Sequence, residues 1–281
     1  MKMANSTCWN ITNKCNDHCQ FCYRDQTSPD LDLKGRFAVI DNIAASGIRK
    51  LTFAGGEPLL VAEIKELIQY AKQKGLLVSM TTNSILLDDQ MLDFCMTHLN
   101  WLTLSLDGAT TEVQSQMSRN PNHANRVKEV LSAAANKEGS CKFKINSVVS
   151  RVNLDHIEEL AEWVAAYPIA RWKLFQFVPL RGTSKRNSDK FLISNQEFYQ
   201  AVEKARIRLK EKSNILSVSD KENIRDAYFI IAPNGDVKSS HDLQEQCLGN
   251  AQYDNLKEIW NRGSYNYQLH EARTQSYIDM P

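Results

Sequence analysis

Between Asn13 and Asp25 the chain reads NKCNDHCQFCYRD, placing Cys15, Cys19 and Cys22 at Cys-x3-Cys-x2-Cys spacing among polar, turn-forming residues. A stretch this polar is not core, so three clustered thiols point to metal binding or catalysis. A structural zinc site generally wants four ligands in two pairs and would have to recruit His18 or a distant cysteine. Three cysteines in one loop match instead a cubane [4Fe–4S] cluster with one iron left open for a substrate or cofactor. The remaining cysteines, Cys8, Cys95, Cys141 and Cys247, are scattered and read as small buried residues. Seven cysteines, an odd number in a reducing compartment, do not suggest a disulfide framework.

The elements that must hold this loop alternate. Short β-rich runs, CWNIT (8–12), KLTFAG (50–55), LVSMTTN (77–83), WLTLSLD (101–107), FKINSVVS (143–150) and RWKLFQFV (171–178), are separated by amphipathic helix-length segments such as 35–47, 61–75 and 88–99. Six strands alternating with helices predict an α/β fold with a parallel sheet and right-handed crossovers, either a partial TIM-like (β/α)6 barrel or an open doubly wound sheet. A helix over 195–212 then precedes a hairpin over 227–240, turning at Asn234-Gly235. On this frame the cysteines follow the first strand, GGEP (Gly55 to Pro58) follows the second, Asn83 ends the third, and Ser105 and Asp107 end the fourth. Asn146 lies within the fifth, and Arg171 and Lys173 open the sixth. Parallel α/β folds gather chemistry at the carboxyl ends of their strands, so these motifs are expected around one mouth. With 281 residues, 42% hydrophobic, and a formal net charge of +1, nothing points to nucleic acid. The absence of an apolar signal segment or of a run of about 18 apolar residues predicts a cytoplasmic protein.

The cysteine motif, Tyr23 directly after it, and GGEP resemble the radical S-adenosylmethionine (SAM) superfamily. FKINSVVSRVN (143–153), ARWKLFQ (170–176), KFLISNQEF (190–198) and RDAYFI (225–230) resemble, more narrowly, the viperin-like nucleotide dehydratases, over roughly residues 8 to 235. The resemblance implies a radical SAM (β/α)6 core over 1–180. A C-terminal extension over 181–281 would pack on the same domain and help close a nucleotide site. It implies a lyase that uses a [4Fe–4S] cluster on Cys15, Cys19 and Cys22 together with SAM. Reductive cleavage of SAM would give methionine and a 5′-deoxyadenosyl radical, which takes the ribose 4′ hydrogen; loss of the 3′ hydroxyl as water then needs a proton donor and a final one-electron reduction. CTP, or else UTP or GTP, would become its 3′-deoxy-3′,4′-didehydro analogue, a chain terminator serving antiviral defence. Gly55 and Gly56 would then allow close approach to the methionine moiety, Glu57 would neighbour its amino group, and Tyr23, Asn83, Ser105 and Arg119 would line the cofactor pocket. Asn83 in its Thr-Thr-Asn strand end equally suits a turn.

Lys50, Lys144, Arg171 and Lys173 sit in or beside strands, where β-propensity would not select them. Four cations sharing an interior are unfavourable unless an anion neutralises them, and a triphosphate carries about the matching charge. Any one of them could instead lie on a solvated strand end or pair with a carboxylate. The resemblance makes these four the triphosphate clamp, Asn146 a contact to the nucleotide, and Tyr228 the proton or hydrogen-atom donor. As a residue, Tyr228 equally reads as an ordinary strand aromatic. Expected partners are the nucleotide and a flavodoxin- or ferredoxin-like one-electron donor, with no nucleic acid, no membrane and a monomeric state. The chain departs from the family pattern at Ala54, where serine is common, at Cys8, where asparagine is common, and in its last residues YIDMP, where animal members end in tryptophan. The tail also resembles that of peptide-modifying radical SAM enzymes, although Cys247 is its only cysteine, too few for a second cluster. A peptide modifier and a non-catalytic iron–sulfur sensor are the alternative readings.

Overall fold

The computed structural model describes residues 2–24, 26–224, 226–239 and 246–279. Its centre is a parallel run of strands in chain order: β1 (Ser6–Asn10), β2 (Lys50–Ala54), β3 (Leu77–Thr82), β4 (Trp101–Ser105), β5 (Lys142–Val149) and β6 (Arg171–Gln176). These are the six strands expected, with β1 beginning two residues earlier than its apolar run suggested. β7 (Leu216–Ser219) continues the sheet beyond β6. On the other edge β8 (Ile230–Ile231) joins β1 in parallel, followed by antiparallel β9 (Asp236–Ser239) and β10 (Gln246–Asn250). The ten strands run β10-β9-β8-β1-β2-β3-β4-β5-β6-β7, and among the described residues the two edges do not pair, so the barrel is open. The hairpin at Asn234-Gly235 forms as expected, with Gly235 at φ +86° in its turn. Arg225 and Ser240, at the borders of segments singled out in the sequence, lie outside the described residues.

Period-2 alternation along the strands explains both faces of this sheet. Leu51 and Phe53, Val78 and Met80, Leu102 and Leu104, Ile145, and Trp172 and Leu174 are fully buried in one continuous core beneath the helices. The intervening residues Thr52, Ser79, Thr81, Thr103, Ser105 and Asn146 line the interior. A barrel normally fills its centre with branched apolar side chains. Hydroxyls and an amide keep this one open and wettable.

Local chemistry sets the helix boundaries. Asp32 caps the helix Leu33–Ser46 by accepting from Gly35 N at 2.8 Å, and Gly47 ends it at φ +88°. Asp88 caps Asp89–His98, and Ser194 with Glu197 forms a capping box on Asn195–Leu209. Two further helices, Leu256–Arg262 and Tyr267–Ile278, have no counterpart in the sequence reading. The second closes the end of the barrel where the strands begin. Tyr277 packs edge-on against Trp101, the first residue of β4, with centroids 5.1 Å apart. His270 accepts from Asn5 N at 3.1 Å and donates Nδ1–H to Ala227 O at 2.8 Å. None of the helices described is long and apolar enough to cross a membrane.

Burial pushes the pKa of His270 below the ordinary histidine value, so the folded state holds a neutral ring. Acidification through the unfolded-state value of about 6.5 therefore favours the unfolded chain, and the stability this ring contributes is present above that value and lost below it. Urea unfolding at about pH 7.5 and about pH 5.5 should show lower stability in acid. His270→Gln should reduce that loss; equal losses would mean the imidazole is not held neutral.

Candidate active site

One cavity of about 670 Å³ runs through the barrel, and Cys15, Cys19 and Cys22 stand on its wall. Each sulfur has an N–H directed at it: Asp17 N to Cys15 at 3.4 Å, Arg119 Nη1 to Cys19 at 3.4 Å, and Arg24 N to Cys22 at 3.4 Å. Such donors stabilise sulfur bearing negative charge and tune a cluster's potential. Among the described residues no three His, Cys, Asp or Glu side chains converge closely enough to hold a single ion. Three thiols on one cavity wall, each with its own N–H donor, supply the ligand set that a cluster with one open iron would use. Burial holds the Cys15 and Cys19 thiols above their ordinary values, an effect that coordination would reverse by deprotonating the ligand outright.

Arg119 links the loop to the sheet. Its Nε pairs with Asp107, just beyond β4, and Nη1 lies 3.7 Å from Asp17, while the guanidinium sits 5.1 Å from the Phe21 centroid. Burial opposes its charge, but Asp107, Cys19 and Asp17 outweigh that effect and raise its pKa. Asp107 is itself fixed by Val148 N at 2.6 Å. Asn83 donates to Asn16 at 2.8 Å and approaches Cys15 at 3.9 Å. Behind Asn83, His123 bonds its carbonyl at 2.6 Å and Gln114 at 3.1 Å, and burial drives that imidazole down to about 3, leaving it neutral.

The glycine motif also holds the cysteine loop. A Cβ on Gly56 would stand 1.8 Å from Lys14 O, and one on Gly55, at φ +134°, 2.6 Å from Thr12 O. The close approach these glycines permit is to the chain leading into the cysteine loop, where Gly56 N donates to Thr12 O and Glu57 N to Lys14 O, each at 2.8 Å. Both glycines also line the cavity. Glu57 does not. Its carboxylate is fully buried and turned away, accepting from Thr82 Oγ1 at 2.7 Å, Asn83 N at 2.8 Å and Leu59 N at 3.1 Å. These three bonds tie β2 to β3. Ser105 and half-exposed Tyr23 line the cavity, and Arg181 donates to the Tyr23 carbonyl at 2.7 Å.

The four strand cations are not at the mouth. Lys50 and Arg171 are the first residues of β2 and β6, and Lys144 pairs in register with Arg171, so the group lies at the barrel floor, opposite the cysteine loop. Strand polarity puts carboxyl ends at the mouth; Lys50 and Arg171 occupy amino ends, and Lys144 and Lys173 stand two residues further along β5 and β6. Lys50, Lys144, Lys173 and Asn146 line the cavity, whereas Arg171 stands behind Tyr277, stacked 4.2 Å from its ring centroid. Asn146 Oδ1 is buried without a hydrogen-bond partner. The C-terminal helix adds two groups that the sequence reading missed. Arg273 bonds Ser219 at 2.8 Å and the Tyr228 hydroxyl, which also accepts from Lys173 at 3.3 Å. Tyr277 inserts its ring among Lys50, Lys144 and Arg171. Among the described residues no carboxylate forms an ion pair with any of these five cations. Burial, reinforced by neighbouring cations, pulls Lys173 well below the usual lysine value, and burial pulls Lys50 down to about 8. For Tyr277 burial disfavours ionisation, yet Lys144 and Arg171 prevail and bring its phenol down to about 8.

An open parallel barrel with a three-cysteine loop at its mouth, clamped by a Gly-Gly turn, defines the class of radical SAM enzymes. The family model for the radical SAM superfamily matches residues 9–164. An S-adenosylmethionine-dependent nucleotide dehydratase of Flammeovirga pacifica is 30% identical over 231 residues, covering 79% of this chain and 77% of that protein. One from Danio rerio is 27% identical, with 79% and 64% covered. Among solved structures, Streptococcus suis SuiB bound to its precursor peptide SuiA superposes with a TM-score of 0.72 at 15% identity, over 96% of this chain and 66% of that one. anSMEcpe with bound AdoMet gives a TM-score of 0.70 at 16% identity, over 94% and 79%. At such identities the two structures establish the fold. The chain belongs to the radical SAM superfamily and, within it, to the family of S-adenosylmethionine-dependent nucleotide dehydratases. It is therefore an enzyme of a family that uses a [4Fe–4S] cluster and SAM.

The glycine contacts distinguish two substitutions. Gly56→Ala forces backbone apart and is expected to destabilise by at least about 2 kcal/mol and to lower the iron bound per chain. Gly75→Ala, at φ +81° with nothing within 4 Å, should cost only about 1 kcal/mol and leave iron content unchanged. Urea midpoints and iron analysis of both variants check this.

Proposed function

We propose that this enzyme dehydrates a nucleoside triphosphate, CTP first, with UTP or GTP as alternatives, to the 3′-deoxy-3′,4′-didehydro nucleotide, and that the product serves antiviral defence. The observation that carries the reading is a group of cations in the barrel, Lys50, Lys144 and Lys173 buried and Arg171 and Arg273 partly so, none of them ion-paired with a carboxylate among the described residues. A peptide without carboxylates would leave those charges uncompensated, whereas a triphosphate supplies opposite charge and several acceptors at once.

Distance orders the parts. Four residues separate Lys50 from Ala54, which at about 3.3 Å per residue puts the floor about 13 Å below the mouth. The triphosphate at the floor and SAM at the mouth leave the ribose between them, level with Asn146 and Ser105, which pair in register. Cys15, Cys19 and Cys22 would hold the cluster, and the bound cluster and SAM supply the radical that removes the ribose hydrogen. The chain's own groups do the rest. Gly55, Gly56, Asn83, Ser105, Arg119 and Tyr23 shape the cofactor end; Lys50, Lys144 and Lys173 engage phosphate; Arg171 and Arg273 reinforce the positive field. Tyr228 stands between Lys173 and Arg273, and two cationic donors on its oxygen favour release of the phenolic proton, the property needed for protonating a departing 3′ hydroxyl.

Anaerobic turnover with CTP, UTP, GTP and ATP should show one triphosphate that accelerates 5′-deoxyadenosine release and itself loses the mass of water; acceleration by none would remove the nucleotide reading. Lys173→Ala should raise KM for that nucleotide roughly tenfold or more, equivalent to about 1.4 kcal/mol. Binding should also take up protons near pH 8, because an anion beside Lys50 and Tyr277 raises both pKa values from about 8. Calorimetry in buffers of different ionisation enthalpy measures that uptake, and Lys50→Arg should diminish it.

A further inference from the structure

The cysteine loop has an outer face as well as a face toward the cavity. Asn16, His18 and Gln20 alternate with the cysteines and are exposed, so the cluster position lies just beneath the surface. A second segment is fastened along this face. It carries the short helices Gly182–Arg186 and Ser188–Phe191. Ser184 N donates to Cys22 O at 3.1 Å, Asn187 to Gln20 O at 3.3 Å, and Lys190 to Gln20 Oε1 at 3.0 Å. Beneath them Phe191, fully buried, packs on Phe21 and Phe177 in a small core separate from the main one. The segment is thus held rigidly against the loop that carries the cluster ligands.

Its charge is one-sided. Residues 181–191 contain four cations and one carboxylate, Asp189. Lys185, Arg186 and Lys190 are exposed, and among the described residues none forms an ion pair with a carboxylate. Exposed cations elsewhere do pair, as in Lys74–Asp41, Arg208–Glu158 and Arg262–Glu258. Nor do these three line the cavity, which Arg181 and Thr183 border from the inner side. They are therefore placed to meet something that approaches the loop from outside.

We propose that the outer face formed by the cysteine loop and the Arg181–Phe191 segment docks an acidic one-electron carrier protein. The proposal rests on the cluster, not on the nucleotide reading. One electron leaves the reduced carrier and is received at the cluster across the loop; no bond or proton changes hands in that step. Complementary charge steers such an encounter and makes it sensitive to salt.

The test uses the cluster-loaded protein, reduced flavodoxin as the acidic probe and dithionite as the small reductant. In the combined variant Lys185→Glu, Arg186→Glu, Lys190→Glu, flavodoxin binding by fluorescence anisotropy and flavodoxin-driven 5′-deoxyadenosine release should each fall roughly tenfold or more. The dithionite-driven rate and the nucleotide KM should stay at wild-type values. Unchanged flavodoxin binding overturns the proposal, as does a raised nucleotide KM with flavodoxin binding intact, which would make the rim a substrate guide. If the triple variant loads no cluster, a salt titration of flavodoxin binding to the wild-type protein decides, and binding insensitive to salt overturns it.

Discussion

Five cations inside one barrel constrain everything else in this protein. Two like charges about 5 Å apart repel by about 3 kcal/mol even at an effective dielectric of about 20, and among the described residues no carboxylate forms an ion pair with Lys50, Lys144, Arg171, Lys173 or Arg273, although Asp220 acts on Arg273 from further off. The fold relieves the strain in part. Lys50 and Lys173 are pulled toward neutrality, three cations share the face of the Tyr277 ring, and that phenol ionises more readily than usual. Relief through shifted pKa values is incomplete, because Lys50, Lys144 and Lys173 stay buried beside one another. A site in that condition favours a polyvalent anion over any neutral ligand.

The same constraint explains why the barrel interior is polar and why it is closed where its strands begin. Hydroxyls of Thr52, Ser79, Thr81 and Thr103 lie along the wall, and Lys50 donates to Thr52, which in turn bonds Ser79 at 2.9 Å. The helix Tyr267–Ile278 then covers the floor and supplies Arg273 and Tyr277, so that charge meets protein instead of bulk water there. At the mouth the logic is reversed. The cysteine loop stays near the surface, held by backbone contacts to Gly56 and Glu57, by Arg119 and by the segment carrying Phe191. A floor covered by a helix and a cysteine loop near the surface suit the proposed division of substrate binding from electron entry.

Much of this arrangement is legible in the residues themselves. Alternating β-rich and amphipathic runs are local signals, and all six parallel strands appear where those signals lie. β7 and the two last helices were missed because short strands and weakly apolar helices acquire their burial only from tertiary partners; the helix Tyr267–Ile278 buries His270, Tyr277 and Ile278 and little else. The same limit applies to individual groups. Glu57 reads as a free carboxylate beside a cofactor, and only the meeting of the β2 and β3 ends shows three donors already holding it.

The sequence by itself determined the chemistry: the spacing of Cys15, Cys19 and Cys22, the glycines beside them and the improbable strand cations, because ligand type, conformational freedom and charge belong to residues wherever they sit. Tertiary structure alone decided the layout. It placed the cations at the barrel floor and not the mouth, set Arg171 behind Tyr277, and brought Arg273 from the far end of the chain to Tyr228. Strand polarity, register and helix docking fix distances between residues far apart in the chain, and no local pattern encodes them.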